Sequence, residues 1–570
     1  MSEVPAERRP FVASAVGAAA PEVQAANGSG ACGPAVPPHV FAVDLGTSAV
    51  KVALMPTDGS IAAWASRPIE LRIRPGGGAE QCPDDWWAAL GDAAAELAGR
   101  YPRLMAAVHA VCCSTQGEGT IPVAADGTVL HDALLWMDMR GAANLRRQHG
   151  GPLDGRIGIR GLSAARLARW VRYTGGAPSV TGKDPASHML WFRDERPEVY
   201  ARTAAFLNVL DFVNLRLTGR IVATWDSIVT SWVTDNRDPG AIRYQPDLVA
   251  DCGVAADMLP PLVPSTEILG PLTPAAAEHL RLSREVRVVA GAVDTSAAAV
   301  GAGTTGLGQP HLYLGTSSWI AAHVPRKKTD VRRGIAAVPG AIPGRYLMTA
   351  LQSVAGGSLT WLRDHVLADG GPGEPGEPDR LDRLADLAAQ APPGANGVFY
   401  LPWVFGERAP VDDRDLRAGL IGLSLATTRA DVVRACYEGV ALNTRWLAGA
   451  VERFLGSPMA NLAVVGGGAT SDLWCRIMAD VLGVTVRRPA DPLATNARGA
   501  AWIAAVGLGE LTWDDLPALG RIEATYQPDP GNRARYDAAY QDYRSLHRAL
   551  APVYRRRADR ARRTDPRGLG

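Results

Sequence analysis

The stretch FAVDLGTSAVKVALM, Phe41 to Met55, decides how the chain is read. It is apolar, breaks at Asp44-Leu45-Gly46-Thr47-Ser48, and is apolar again. That pattern predicts two strands joined by a hairpin. The turn uses the glycine, which reaches φ > 0 at little cost. It has no need for an acid, two hydroxyls and Lys51 as well. Those residues suit a bound anion, with the acid at one remove through a metal.

A near-copy follows about half the chain later. HLYLGTSSWIAAHV, His311 to Val324, is again strand, Gly-Thr-Ser-Ser, strand. Self-similarity at that distance predicts two domains whose related first hairpins face one site. The length agrees, since 570 residues are too many for one ordinary core. Neither copy is a P-loop, because no Gly-Lys-Ser/Thr opens a helix after it.

Around the hairpins the sequence reads as mixed α/β. HAVCCSTQ ends a buried strand at a polar switch, and GTIPVAADGTVL is a hairpin turning at Asp126-Gly127. SHMLWFRDERPEVYART has an amphipathic helical period interrupted at Pro197. REVRVVAGAV is a buried strand ending at Asp294, and Asp369 to Asp379 is a surface loop. ADVVRACYEGVALNTRWLAGAVERF is a long helix, and VVGGGATSDLWCRIMADVLG is strand, glycine turn, helix. ATNARGAAWIAAVGLG is a small-residue helix able to pack close to another backbone. The domain boundary falls near Gly291 to Gln309.

Composition excludes several classes. With 59 Lys+Arg against 58 Asp+Glu, nothing global favours nucleic acid or a membrane surface. Seven cysteines without zinc-ligand spacing read as reduced thiols of a cytoplasmic protein. No stretch reaches the apolar length of a membrane span. Residues 1–38 are Ala-, Gly- and Pro-rich and read as a disordered tail. The Arg8-Arg9 pair before a short apolar run is a poor export signal. The C-terminal YRRRADRARRTDPRGLG reads as a solvated basic end.

Several positions point to chemistry. Asp294, in VVAGAVDTSAAAVGAG, stands at a strand's C-terminal end in front of a helix. That is an N-cap position and also where ligands bind in α/β sheets. GAGTTG, Gly301 to Gly306, matches a dinucleotide fingerprint but follows a helical run, so NAD binding is not expected. VVGGGATSD, Val464 to Asp472, lets the backbone approach a ligand at a helix start, or is a plain tight turn. STQGEGT places Gln116 and Glu118 at a strand end, and LLWMDMRG supplies Trp136, Asp138 and Arg140. An indole beside acids and amides suits a polyhydroxylated ligand. The plain alternatives are a core indole and a local Asp138–Arg140 ion pair.

The order of these segments resembles the FGGY family of carbohydrate kinases, from about Val40 to about Gly509. VDLGTSAVK, GAVDTSAAAVGAG, LGTSSW, GVFYLPWVFGERAPVDDRDLRAGLIGLS and VVGGGATSDLWCRIMADVLGVTV are similar to the family's segments, in order. AEQCPDDWWAAL and Lys51 look more like xylulokinase than glycerol kinase. The resemblance implies two ribonuclease-H-like domains of the actin/hexokinase ATPase type flanking a deep cleft. Their bounds are 39–290, with the sugar site, and 291–530, with the nucleotide site; a C-terminal helix and basic tail occupy 531–570.

The site implied by the resemblance is specific. ATP phosphates would meet Gly46, Thr47, Ser48 and Lys51 from one side and Gly315 and Thr316 from the other. Gly356, Gly357, Gly468 and Asp472 would line the nucleotide. Asp44, through water, and Asp294 would hold Mg²⁺. Asp294 would be the general base, and Gln116, Glu118, Trp136, Asp138 and Arg140 would bind the sugar. The expected substrate is a ketopentose such as xylulose, with ribulose, a hexulose, glycerol or a tetritol as alternatives. A homodimer is compatible with the resemblance. A catalytically silent nucleotide sensor is the rival from another class, but it need not retain Asp44, Asp294 and Thr316 together.

Two departures concern the substrate. Xylulokinases usually show Met-His after the glutamine and glycerol kinases Arg-Glu, where this chain has Gly117-Glu118. The segment Gly150 to Gly176 is longer than expected beside the sugar site. Glu118 favours a substrate with an extra hydroxyl to hold.

Overall fold

Strands β1 (His39–Leu45) and β2 (Ala49–Met55) pair antiparallel around the Gly46 turn, with Asp44 opposite Lys51. They belong to a computed structural model that describes residues 36–149, 164–367 and 380–564. Strand β3 (Ala63–Pro68) extends the hairpin, and β4 (Val108–Thr115) and β5 (Arg287–Val293) join in parallel on the other side. The inner order is β3-β2-β1-β4-β5. Central strands buried on both faces explain the near-continuous apolar runs in the sequence.

The second half repeats this order. Strands β6 (His311–Leu314), β7 (Ser318–Val324) and β8 (Tyr346–Gln352) are antiparallel neighbours, and β9 (Asn461–Val465) and β10 (Thr485–Pro489) follow in parallel. Two sheets with one strand order are the two domains expected from the paired hairpins, with the ribonuclease-H-like architecture that the resemblance implies.

The helices link the two sheets. Helices α1 (Pro83–Arg100) and α2 (Val209–Thr218) cover one face of the first sheet. Helix α3 (Asp294–Gly301) leaves the end of β5 and packs Ala298 and Ala299 against Trp319 and Ala321 of the second sheet. Helices α4 (Gly356–His365), α5 (Arg429–Leu455) and α6 (Asp472–Leu482) cover the second sheet's other face. Helix α7 (Thr495–Gly507) returns to the first sheet, with Ala497, Ala500 and Ala501 against Val40, Ala42 and Cys112.

Helices α3 and α7 cross where two glycines meet backbone. A Cβ on Gly301 would lie 1.9 Å from the Thr495 carbonyl oxygen, and one on Gly499 would lie 2.0 Å from that of Ala297. This is the close packing that the small-residue run predicted.

Several expectations are adjusted. Strand β5 stays in the first sheet through Val293, past the boundary drawn at Gly291. The helix at Pro185–Glu195 is buried without a break from Pro185 to Phe192, so it is a core helix rather than an amphipathic one. The chain resumes as helix at Pro197–Tyr200, so Pro197 does interrupt it. The Asp126-Gly127 turn forms, with Gly127 at φ 84°. Part of the basic end is ordered: helix α8 (Pro530–Thr564) runs through it, with Tyr536 and Tyr543 in the second core. The tail before residue 36, residues 150–163 and the Asp369–Asp379 loop lie outside the described residues. Among the described residues no helix is long and apolar enough to cross a membrane.

Candidate active site

Parallel strands β1, β4 and β5 end on the same edge of the first sheet. They deliver Asp44, then Gln116 and Glu118, then Asp294 to one place, because the chain must turn there. Asp44 is buried. Lys51 Nζ donates to its Oδ2 at 3.1 Å and Asn496 Nδ2 to its Oδ1 at 3.3 Å. The Asp44 charge raises the Lys51 ammonium pKa, so Lys51 stays charged.

Asp294 is the first residue of α3, one position inside the expected N-cap. Its Oδ1 accepts the Thr295 N–H at 2.7 Å, and among the described residues no side chain pairs with it. Burial first, and the Asp44 charge second, push its carboxyl up to about 7. Buried Asp226 braces the turn before it, accepting the Val293 N–H at 2.9 Å.

The turn beyond β1 is tied to the next residues by a polar chain. Thr47 Oγ1 donates to Gln116 Oε1 at 2.9 Å and accepts from Trp136 Nε1 at 3.1 Å. Gln116 Nε2 donates to Gln81 Oε1 at 2.9 Å, which also takes the Trp86 Nε1 proton at 3.1 Å. Gln81 Nε2 donates to the Thr47 carbonyl at 2.8 Å. The Thr47 hydroxyl is thus held by Gln116 and Trp136, not left free for a phosphate, and Gln116 is committed to Thr47 and Gln81.

Two residues expected at the sugar are committed to protein partners. Asp138 has a fully buried side chain whose carboxylate accepts from the Ala79 N–H at 2.9 Å and from Arg140 Nη2 at 2.6 Å. Arg140 also reaches Glu80 Oε1 at 2.7 Å, and it lines a separate cavity of about 520 Å³ with Arg74, His131 and Trp191. A carboxylate and guanidinium two residues apart in a tight turn close on each other, so the plain ion pair is what forms here.

Other charged groups gather around Trp136 instead. Arg408, from the second half, lies over the Trp136 ring with Cζ 5.6 Å from the centroid, and Lys183 Nζ stands 6.0 Å from it. Arg414 Nη2 donates to Thr181 Oγ1 at 3.2 Å across the same gap. Glu118 is held at φ 63°, a conformation that is costly outside glycine. Burial and the nearby Asp184 push its carboxyl up to about 7, against the opposing pull of Arg408 and Lys183. Burial, then Arg408 and Arg414, bring Lys183 down to about 8. Asp184 turns inward, accepting the Ser179 N–H, and burial raises it to about 6. A Cβ at Gly117 would touch only Val293, at 3.9 Å, so the missing side chain leaves open space beside Val293.

The second hairpin is clasped from behind. The N–H groups of Gly356 and Gly357 donate to the carbonyls of Gly315 and Thr316 at 2.8 and 3.0 Å. A Cβ on Gly356 would lie 2.7 Å from the Gly315 oxygen, so only glycine fits. Thr316 is exposed at the tip. Gly468 sits where a Cβ would strike Leu314 at 2.5 Å. The Asp472 carboxylate, at the start of α6, takes Arg488 and the Tyr526 hydroxyl, both at 2.6 Å.

Sequence reading missed Lys183, Arg408, Gln81, Asp226 and Asn496. Arg408 lay inside a quoted segment, but Lys183 in TGKDP carries no local pattern that marks it.

Comparison with known proteins is consistent along the chain. Models of the N-terminal and C-terminal domains of the FGGY family of carbohydrate kinases match residues 39–151 with 161–301, and 311–508. Xylulose kinase of Bacillus subtilis is 28% identical over 514 residues, covering 89% of this chain and 96% of the relative. Glycerol kinase of Thermus brockianus is 29% identical over 521 residues, covering 89% and 97%. The crystal structure of xylulose kinase from Rhodospirillum rubrum superposes with a TM-score of 0.74 at 28% identity, covering 91% of this chain and all of that one. Ligand-bound xylulose kinase from Lactobacillus acidophilus, at 21% identity and a TM-score of 0.78 over 91% and 99% of the two chains, shares the fold.

Proposed function

The chain belongs to the FGGY family of carbohydrate kinases, and from that premise we propose that it transfers the γ-phosphoryl group of ATP to a hydroxyl of a ketopentose such as D-xylulose. The observation that carries this reading is Asp294. Among the described residues its carboxylate has no side-chain partner; it starts a helix and stands on the sheet edge where the Gly46–Ser48 turn begins.

The step is a simple displacement. A sugar hydroxyl is a poor nucleophile, so Asp294 accepts its proton as the new O–P bond forms. The bond between the γ-phosphorus and the bridging oxygen breaks, and ADP leaves with the electron pair. The transferring group carries spread charge, so fixed donors do most of the catalysis. In this reading the N–H groups of Thr47 and Ser48 and the Lys51 ammonium supply donors from one hairpin, while the Gly46 N–H closes the turn onto the Ala49 carbonyl at 3.0 Å. Thr316 supplies them from the other, where the Gly315 N–H closes the turn onto the Ser317 carbonyl at 2.9 Å, and Gly356, Gly357, Gly468 and the α6 start at Asp472 line the nucleotide. Trp136 covers a C–H face of the sugar, and Glu118 accepts one of its hydroxyls.

Mg²⁺ suits the residues present. Among the described residues there is no cluster of three metal-ligating side chains. A magnesium ion that keeps its waters and binds phosphate needs only one or two carboxylates. Asp44, through water, and Asp294 would hold it, and bound there it neutralises charge on the phosphates.

The test is ADP release from Mg·ATP across ketoses, aldoses and polyols, for wild type and Asp294→Asn. One substrate that drives turnover in wild type and not in the variant supports the reading. Background ATP hydrolysis alone, equal in both, refutes it. Competition between substrates on Glu118→Ala then tests the extra hydroxyl, which is ruled out if all substrates weaken equally.

A further inference from the structure

Resting on the reading of this cleft as a kinase site, we infer that Tyr313 is a further catalytic residue, whose hydroxyl donates a hydrogen bond to the phosphoryl group in transfer. The register of the two hairpins points to it. Asp44-Leu45-Gly46-Thr47-Ser48 leads from β1 into the first turn, and Tyr313-Leu314-Gly315-Thr316-Ser317 leads from β6 into the second. Tyr313 therefore stands where Asp44 stands, two residues before the turn glycine. The two strands also match in their sheets. Each pairs antiparallel with the strand after its turn and parallel with a later one, β4 for β1 and β9 for β6.

Successive side chains of a strand point to opposite faces. Leu45 lies in the core under α1 and α2, and Leu314 in the core under α4, α5 and α6. Asp44 and Tyr313 thus point to the inner faces, where α7 and α3 run between the sheets. Asp44 meets Asn496 of α7, and Tyr313 packs with Trp319 against Ala298 and Ala299 of α3. The phenol ring is fixed on two sides. It stacks on the Trp319 indole with centroids 4.0 Å apart and planes at 2°, and a Cβ on Gly315 would lie 2.7 Å from its Cε1. The ring is held against the second phosphate turn.

The hydroxyl itself is unspent. Tyr526, Tyr536 and Tyr543 of the same half donate to Asp472, Glu438 and Asn443. Among the described residues the Tyr313 hydroxyl makes no hydrogen bond. Its charged neighbours come from the other hairpin and from α3: Lys51, Asp44 and Asp294. Asp44 is already taken by Lys51 and Asn496, and Asp294 by the Thr295 N–H. Burial pushes the phenol up to about 12, against the pull of Lys51, so it keeps its proton and can donate.

The chemistry has a use for that donor. Charge in the transfer step is spread over the phosphoryl oxygens, and fixed donors stabilise it. Both turn glycines spend their N–H groups within their own turns. A phenol on the second hairpin adds a donor opposite Lys51 without adding a charge beside it.

The experiment compares wild type with Tyr313→Phe, which keeps the ring and its stack and removes only the hydroxyl. ADP release from Mg·ATP is measured with the sugar or polyol that drives turnover, at temperatures well below both unfolding midpoints. The expected result is a kcat lower by about ten-fold or more with the sugar KM within about two-fold. An unchanged kcat overturns the inference and leaves the kinase reading standing. A raised sugar KM with kcat unchanged also overturns it, since the hydroxyl then serves the sugar. If no compound drives ADP release in wild type, the kinase reading fails. Calorimetric titration of Mg·ADP and of the magnesium complex of β,γ-imido ATP onto both proteins then decides alone. Affinity lost about ten-fold for the triphosphate analogue and kept for ADP supports a contact with the terminal phosphoryl group. Equal loss for both nucleotides, or none, refutes it.

Discussion

The indole Nε1 of Trp136 donates to the hydroxyl of Thr47 at 3.1 Å, across 89 positions of sequence. Thr47 belongs to the first hairpin turn and Trp136 to the wall proposed for the sugar, and one network through Gln116 and Gln81 joins them. Thr47→Val keeps the shape and removes the hydroxyl. It leaves Gln116 Oε1 and the Trp136 N–H without their partner and lowers stability by about 1–3 kcal/mol. Denaturant titration reads that loss. KM for the sugar rises with it, because the indole loses its fixed position.

Asp294→Asn keeps the side-chain shape and removes the proton acceptor. General-base assistance is worth about 10²–10⁴-fold, and kcat falls by that amount. KM for Mg·ATP rises as well, since Asp294 is also one of the two carboxylates that would hold Mg²⁺ on the phosphates. A coupled ADP assay with saturating sugar measures both.

The Asp294 carboxyl, raised to about 7 from 3.8 by burial first and Asp44 second, gives a pH dependence with a definite sign. The base must be ionised, so kcat/KM for the sugar falls along a one-proton limb as pH drops through about 7. Stability runs the other way. The folded value lies above the unfolded one, so this group's contribution is fully present below 3.8 and is lost as pH rises through about 7. Asp294→Asn cannot ionise and is therefore more stable than wild type at alkaline pH, with the gap narrowing toward acid. Thermal unfolding of both proteins over that range shows whether the gap closes.

Helices α3 and α7 meet at glycines with no space for a methyl. Gly499→Ala puts a Cβ 2.0 Å from the Ala297 oxygen, and backbone cannot yield as a side-chain tip can. The cost is about 1–3 kcal/mol or more. Because α3 begins at Asp294, activity falls too. Gly449→Ala in α5 is the control: its Cβ would meet only Arg453, at 3.8 Å, and it gains about 0.5–1 kcal/mol from helix propensity. Unfolding midpoints for the pair give opposite signs.

Asp44 accepts from Lys51 and Asn496 at the end of the strand that enters the Gly46–Ser48 turn. Asp44→Asn removes the charge that attracts Mg²⁺ and frees the Lys51 ammonium. The Mg²⁺ concentration for half-maximal ADP release rises roughly ten-fold or more, an order set by losing one of so few carboxylates. Magnesium titration at fixed ATP measures it.

The sequence by itself determined the two related hairpins, the α/β class and the ends of strands where Asp44, Gln116, Glu118 and Asp294 sit. These are local matters: apolar period, glycine turns and the point where a strand must stop. It also carried the close-packing helix at Thr495–Gly507, since a run of small residues has few other uses. Only the tertiary structure decided which polar groups are spent and which are free. Asp138 and Arg140 had the right chemistry for a sugar, yet they close on each other and on Ala79 and Glu80. Lys183 had no motif, yet the fold sets it beside Trp136 and Arg408, which is 225 residues further along the chain. The physical reason is that a hydrogen bond or an unpaired charge is a property of distance in space, and chain separations of this size carry no information about it.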